Sequence, residues 1–189
     1  LFVIGYVLIT GASLFAKFGM TSAIIKSASI MFKNREFGKI LKLRREVTFL
    51  VLLLSITISI IFAFNTDLIS DLLFDGINVR NLILVFSLSL PFFSVLTIQS
   101  SFLKSFSRPE IAPFYEIGLM VFLTALFTFF YSFFTENVTS LDTSIIFLVS
   151  CFVIFLTGNY TLRNIINKET DGKKYLLEKF EGFYSLLIS

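Results

Sequence analysis

The feature that most constrains this chain is a run of 18 residues with no charged side chain, VTFLVLLLSITISIIFAF at 47–64. A helix of this length rises about 27 Å, close to the thickness of a bilayer's hydrocarbon core, which is about 30 Å. Together with four similar runs it predicts five spans, at 2–31, 47–64, 82–103, 113–134 and 144–162. Because such runs joined by short charged loops leave no polar face for water, we expect an all-α membrane protein, a bundle of about five transmembrane helices, rather than a soluble domain.

Composition supports the same class. The chain is 56% hydrophobic and 15% charged, with 26 phenylalanines and a mean hydropathy of +0.87, whereas a soluble domain is roughly 25% charged. It has no histidine and one cysteine, Cys151, so the commonest metal ligand and general base are missing and no internal disulfide is possible. We therefore expect no enzymatic activity, no metal and no cofactor. The net charge of +3 does not by itself indicate nucleic-acid binding.

The basic residues alternate between the two sets of loops. Segments 33–45, 104–110 and 163–189 carry six, two and five Lys or Arg, thirteen of the 16 in the chain. Loops 65–80 and 135–144 carry five acidic residues and one basic residue. Since cytoplasmic loops are enriched in Lys and Arg, we expect the first set in the cytoplasm and the second outside a cell membrane that the chain crosses several times.

Two lysines lie within the first apolar run, Lys17 and Lys26. Lys26 precedes Lys33 by about 10 Å of helix and can extend its side chain to the interface, whereas Lys17 precedes it by about 24 Å. The alternative for Lys17 is a span that starts later, which would place it near the outer surface. Nine residues at 100° each put the two lysines on opposite faces of a straight helix, so both can face one cavity only if Gly19 permits a bend.

A further charged group surrounds the turn between the third and fourth runs. Lys104 and Arg108 mark this turn, and Glu116 follows near the same end of the next run. Glu116 is therefore expected to pair with Lys104 or Arg108, either as a structural contact or in a gating or ion-coupling role. Gln99 is expected to form a hydrogen bond across helices.

The order of several loose motifs resembles a known family. FGMTSAIIKSAS (18–29) is followed by a basic segment, a charge-free run, LSLPFFSVLTIQSSFLKSFSRPEIA (88–112) and another apolar run. This order is similar to the N-terminal lobe of polysaccharide flippases, the O-antigen and teichoic-acid-type (Wzx-like) exporters of the multidrug/oligosaccharidyl-lipid/polysaccharide superfamily. Lys104 holds the family's basic position and Ser105 its small one.

The resemblance implies a function and an organisation. It covers 1–165, as a transmembrane bundle resembling the second to sixth helices of a two-lobed transporter. An amphipathic, cytoplasmic or interfacial segment at 166–189 would then lead to a second lobe, so the sequence reads as part of a longer protein. The implied substrate is an oligosaccharide linked to polyprenyl pyrophosphate, with Lys17 and Lys26 as candidate binding residues. Expected partners are membrane lipid and this anionic glycan, with glycan polymerase or glycosyltransferases as candidate partner enzymes.

Two alternatives fit the sequence less well. A multidrug exporter of the same superfamily would be expected to place an acidic residue in the middle of a span, and none lies there. A multipass membrane enzyme of glycan assembly would need a catalytic histidine or a clustered acidic motif. The chain has no histidine, and its acidic residues in 65–80 are spaced apart.

The charge asymmetry predicts a topology that thiol labelling can test. In a Cys151→Ser background, single cysteines at Lys39 and Arg108 should resist a membrane-impermeant thiol reagent in intact cells, because both positions are expected in the cytoplasm. Cysteines at Asp71 and Thr139 should react. Labelling at Arg108 combined with protection at Thr139 would show that the orientation is reversed.

Overall fold

The structure, a computed structural model, describes residues 1–74, 79–106, 110–135 and 137–169. Within these ranges all regular elements are helical, so the predicted all-α class is confirmed. The helices are α1 (Phe2–Lys17), α2 (Met20–Lys33), α3 (Phe37–Phe64), α4 (Thr66–Phe74), α5 (Arg80–Ser105), α6 (Leu119–Ser132) and α7 (Ser140–Glu169), with a π-helical segment, Phe114–Gly118, directly before α6.

Three of the five predicted spans, 47–64, 82–103 and 144–162, correspond to single long helices, and the other two, 2–31 and 113–134, are each divided. By length and composition α3, α5 and α7 can each cross a membrane, and α1 with α2 make a fourth span if the bent pair counts as one. The run predicted as a span at 113–134 is divided into the five-residue π-helical segment and the 14 residues of α6. In the described residues the structure therefore supports three or four spans and one shorter apolar helix.

Some boundaries differ from the sequence prediction. The basic segment 33–45 is largely the start of α3, which continues without a break into the apolar run. The predicted outer loop 65–80 contains α4, on which Asp67 and Asp71 are exposed. Helix α7 passes through the predicted division at 165/166 and ends at Glu169. The rest of the predicted amphipathic segment lies outside the described residues.

Helix α5 lies at the centre of the bundle and contacts α1, α2, α3, α4 and α7. Its buried face carries many small side chains; the buried serines are Ser87, Ser89, Ser94, Ser100, Ser101 and Ser105. Small residues let neighbouring helices approach closely. Several of their hydroxyls bond within the helix, as when Ser101 donates to the Thr97 carbonyl at 2.9 Å and Ser105 donates to the Ser101 carbonyl at 2.9 Å. Ser100 instead donates to the Ala112 carbonyl at 2.9 Å, and the buried hydroxyl of Ser94 has no partner among the described residues.

Aromatic rings fill the end of the bundle where α1 begins. The ring of Phe86 lies 5.5 Å from that of Phe2 and 5.6 Å from that of Phe147, and Tyr6 lies 5.9 Å from Phe147. Gly5 makes this packing possible, because a Cβ atom at its position would collide with the ring of Phe86. Contact between α1 and α5 therefore depends on the absence of a side chain at this glycine.

Pro91 interrupts the hydrogen bonds of α5, and α3 compensates. Proline has no N–H, so the carbonyl of Ser87, four residues earlier, loses its helical partner. The hydroxyl of Ser59 on α3 donates to this carbonyl at 2.5 Å in a buried position. In a membrane, where no water replaces a missing partner, this bond both satisfies the carbonyl and fixes α3 against α5.

A double-mutant cycle tests this compensation. Ser59→Ala should lower the free energy of unfolding in mixed detergent micelles by about 1 kcal/mol, because it leaves the Ser87 carbonyl unpaired. In a Pro91→Ala background the new amide can take over the carbonyl, so the same change should cost close to nothing. Ser55→Ala is the matched control, since the hydroxyl of Ser55 donates to the Leu52 carbonyl of its own helix. Equal costs of Ser59→Ala in both backgrounds would contradict the compensation.

Candidate functional site

A sharp bend separates α1 from α2. The two helices meet at 53°, and the residues between them, Phe18 and Gly19, have φ values of 41° and 69°. Glycine adopts this left-handed conformation freely, whereas a phenylalanine rarely does. Gly19 therefore lowers the conformational free energy that the turn requires. The sequence indicated that Lys17 and Lys26 could face one cavity only if Gly19 permitted a bend, and a bend is present at this residue.

The bend places the two lysines in different environments. Lys17, the last residue of α1, is buried and only 8% exposed, whereas Lys26 on α2 is exposed. Lys17 lies about 22 Å from the start of α1, at the break between the two halves of the bent pair. Among the described residues it has no hydrogen-bond or ion-pair partner, but Glu116 lies within Coulombic range.

The π-helical segment positions Glu116. Pro113 immediately precedes it, a position at a helix start where the missing N–H costs little. The Glu116 carboxylate accepts a hydrogen bond from the ammonium group of Lys104 at 2.6 Å, and the two side chains are 37% and 34% exposed. This ion pair joins the end of α5 to the start of the next helix. Arg108, the other expected partner of Glu116, lies outside the described residues.

Beside this ion pair, polar groups connect α5 and the π-helical segment to α7. The hydroxyls of Tyr115 and Thr161 are 2.8 Å apart. The amide of Gln99 donates to the Phe155 carbonyl at 3.4 Å, so the expected bond between helices is present. Its oxygen is buried and has no partner in the described part of the chain. Gly158 leaves the space for this amide, because a Cβ there would overlap the oxygen of Gln99.

A second polar contact joins α3 to α7. The guanidinium of Arg44 donates to the side-chain oxygen of Asn159 at 2.8 Å, and the Asn159 amide donates to the Phe155 carbonyl at 3.1 Å. Arg163 lies four residues after Asn159 on the same face of α7, within Coulombic range of Arg44. Two positive charges are thus held near one another.

Sequence reasoning did not single out Arg44, Asn159, Tyr115 or Thr161. Arg44 counted only as one of several basic residues in 33–45, and Asn159 and Thr161 belong to an Asn-x-Thr triplet of a kind that occurs by chance. One signal was present in the sequence, since Asn159 and Arg163 are four residues apart and so share a helical face. Their partners on other helices could not be read from that spacing.

A separate cavity of about 380 Å³ lies between α1, α6 and α7. Its lining is mostly apolar and includes Phe2, Tyr6, Thr128 and Phe147. The hydroxyl of Thr128 is buried and has no partner among the described residues. None of the described lining residues is charged, so this cavity is not part of the cluster around Lys17.

The cluster of Lys17, Lys104 and Glu116 carries two positive charges and one negative charge. Because Glu116 is already hydrogen-bonded to Lys104, it compensates Lys17 only from a distance. A buried cation with an excess of positive charge around it favours an anion. The cluster is therefore chemically suited to binding an anionic group rather than a cation.

Comparison with known proteins identifies no relative: no family model matches the sequence, and neither the curated proteins nor the solved structures contain a match.

Charge reversal tests the Lys104–Glu116 pair. Lys104→Glu and Glu116→Lys should each lower the fraction of protein that is monodisperse after detergent extraction, because each places like charges together. The double reversal should recover part of the loss, and adding Lys17→Gln should recover more, since a lysine at 116 would repel Lys17. A double variant no better than the worse single variant would mean that the pair does not contribute to folding.

Proposed function

We propose that the chain is part of a membrane transporter that moves an anionic lipid-linked oligosaccharide, a polyprenyl-pyrophosphate-linked glycan, across the cytoplasmic membrane. The observation that carries this proposal is the burial of Lys17 at the break between α1 and α2. The resemblance of 18–29 and 88–112 to Wzx-like flippases supplies the substrate class. Glycan polymerase and glycosyltransferases are candidate partner enzymes.

The energetics of Lys17 favour a ligand. A lysine at the centre of a spanning helix costs about 2.5–3.5 kcal/mol on insertion scales. Its position in the last turn of α1 places it at the negative end of the helix dipole, which returns about 0.3–1 kcal/mol. This stabilisation by the helix dipole is smaller than the cost of placing the lysine in the membrane. Glu116 compensates Lys17 only from a distance, because its carboxylate is hydrogen-bonded to Lys104. An anionic substrate entering a hydrated cavity beside Lys17 would supply the missing compensation.

The broken helix supports transport more than a purely structural role. Transporters often bind their substrates at discontinuous helices, where the first amides of the second half-helix are free to meet an anion. Helix α2 begins at Met20 after Gly19, which provides no side-chain cap for these amides. Lys17 and the start of α2 would therefore act on the same anionic group.

The local charge also favours an anionic substrate over the main alternative, a multidrug exporter of the same superfamily. A multidrug exporter for cationic compounds would need an available acidic residue. Glu116 is the acidic member of the cluster, and the ammonium of Lys104 lies 2.6 Å from it. With Lys17 nearby the cluster has an excess positive charge, which favours pyrophosphate over a cationic drug.

Substitution of Lys17 tests the proposal. Lys17→Gln should reach the membrane at normal abundance but lose most glycan export, because it keeps the length and polarity of the side chain and removes the charge. Lys17→Arg should retain much of the export. The measurement is surface glycan in a host that lacks its own flippase, with membrane abundance measured in parallel.

Lys26→Gln is the matched control. It removes the same charge from the other half of the bent pair, where the side chain is exposed, and should retain most of the export. Wild-type export by Lys17→Gln at equal abundance would remove Lys17 from the mechanism and make Lys26 the next candidate.

A further inference from the structure

Helices α3 and α7 form the two sides of a groove whose floor is α5. Each packs extensively along α5, but in the described residues they make little contact with each other. The contact between Arg44 and Asn159 bridges this groove near the start of α3 and the end of α7. In this bridge the guanidinium of Arg44 donates to the side-chain oxygen of Asn159 at 2.8 Å.

The guanidinium group of Arg163 lies within Coulombic range of the bridging Arg44. Arg44 uses one N–H to bind Asn159, and a guanidinium has five. Arg163 is exposed and lies one turn beyond Asn159. In the described part of the chain, no carboxylate pairs with either arginine. Keeping two like charges close together costs free energy unless an anion binds between them.

An apolar stripe on α7 leads up to this pair. Phe152, Leu156 and Tyr160 recur every four residues and are 45%, 51% and 69% exposed. Arg163 continues the same face one turn later. From Phe152 to Arg163 the helix rises about 16 Å, which is about half the thickness of the hydrocarbon core and so matches one leaflet.

We propose that Arg44, held by Asn159 at the end of the α3–α7 groove, and Arg163, one turn beyond Asn159 on α7, bind the phosphate of an anionic phospholipid whose acyl chains lie along the stripe of Phe152, Leu156 and Tyr160. Arginine suits this role because its planar group donates two parallel hydrogen bonds to phosphate oxygens. The site is distinct from Lys17 and does not depend on the transported substrate. The bound lipid would join α3 to α7 at the place where the side chains of Arg44 and Asn159 connect the two helices.

Native mass spectrometry of the purified protein in a zwitterionic detergent provides the test. Phosphatidylglycerol should bind with higher affinity than phosphatidylcholine. Arg44→Gln and Arg163→Gln should each weaken phosphatidylglycerol binding about fivefold, and the double variant about 25-fold, as expected for two nearly independent basic contacts. Arg163→Gln is the decisive single variant, because Arg163 is exposed and its removal is not expected to disturb folding.

Arg45→Gln is the matched control, since Arg45 is adjacent to Arg44 on α3, is exposed and carries the same charge. It should change the affinity by less than about twofold, because its direction differs by 100° from that of Arg44. An equal loss for Arg45→Gln and Arg163→Gln would overturn the proposal in favour of general attraction to a basic surface. Unchanged binding in the double variant would overturn it outright.

A second set of measurements distinguishes a lipid from a free anion. Inorganic pyrophosphate at millimolar concentration should not displace phosphatidylglycerol, because it cannot contact the apolar stripe. Leu156→Gln should weaken lipid binding without weakening any binding of pyrophosphate. Displacement of the lipid by pyrophosphate, with no effect of Leu156→Gln, would assign the two arginines to a soluble phosphate instead.

Discussion

The structure depends on the requirement that backbone groups within a membrane find partners in the protein. Among the described residues the chain departs from regular α-helical geometry at Pro91, directly before α6 and at Gly19, and the first two departures meet this requirement. At Pro91 the freed Ser87 carbonyl is taken by Ser59 of a neighbouring helix. Before α6 the chain adopts π-helical bonding at Phe114–Gly118. At Gly19 no side chain caps the start of α2, so this break leaves polar groups available for other contacts.

The central position of α5 follows from the same requirement. Its serines are small enough for α3 and α7 to pack closely against it, and several of their hydroxyls, such as those of Ser101 and Ser105, donate hydrogen bonds to carbonyls of α5 itself. Because α3 and α7 both pack against α5, they make little contact with each other in the described residues. The groove between α3 and α7 therefore follows from the central position of α5.

The sequence predicted features that depend on nearby residues. Hydropathy identified the apolar runs, Gly19 was recognised as the residue that would permit a bend, and Gln99 was expected to bond across helices. The features that were not predicted correctly depend on how helices continue and on contacts between residues far apart in the sequence. Local hydropathy could not show that the basic segment 33–45 continues α3, because charged residues are as compatible with a helix end as with a loop. The contact of Arg44 with Asn159 joins residues 115 positions apart, and no local pattern encodes it.

The electrostatics of Lys17 link the bend to the proposed transport. Glu116 carries one negative charge and interacts with two lysines, with Lys104 at 2.6 Å and with Lys17 at longer range. Closer approach of Lys17 would therefore weaken the ion pair between Glu116 and Lys104, whose side chain is only about one-third exposed. An anion at Lys17 removes this competition, because it neutralises the ammonium group in place of Glu116. In the proposed transporter, substrate binding would therefore stabilise the arrangement in which Glu116 stays with Lys104, and substrate release would favour movement of α1 toward the π-helical segment. Gly19 allows such movement at low cost, because its left-handed conformation tolerates a change in backbone angle better than any other residue would.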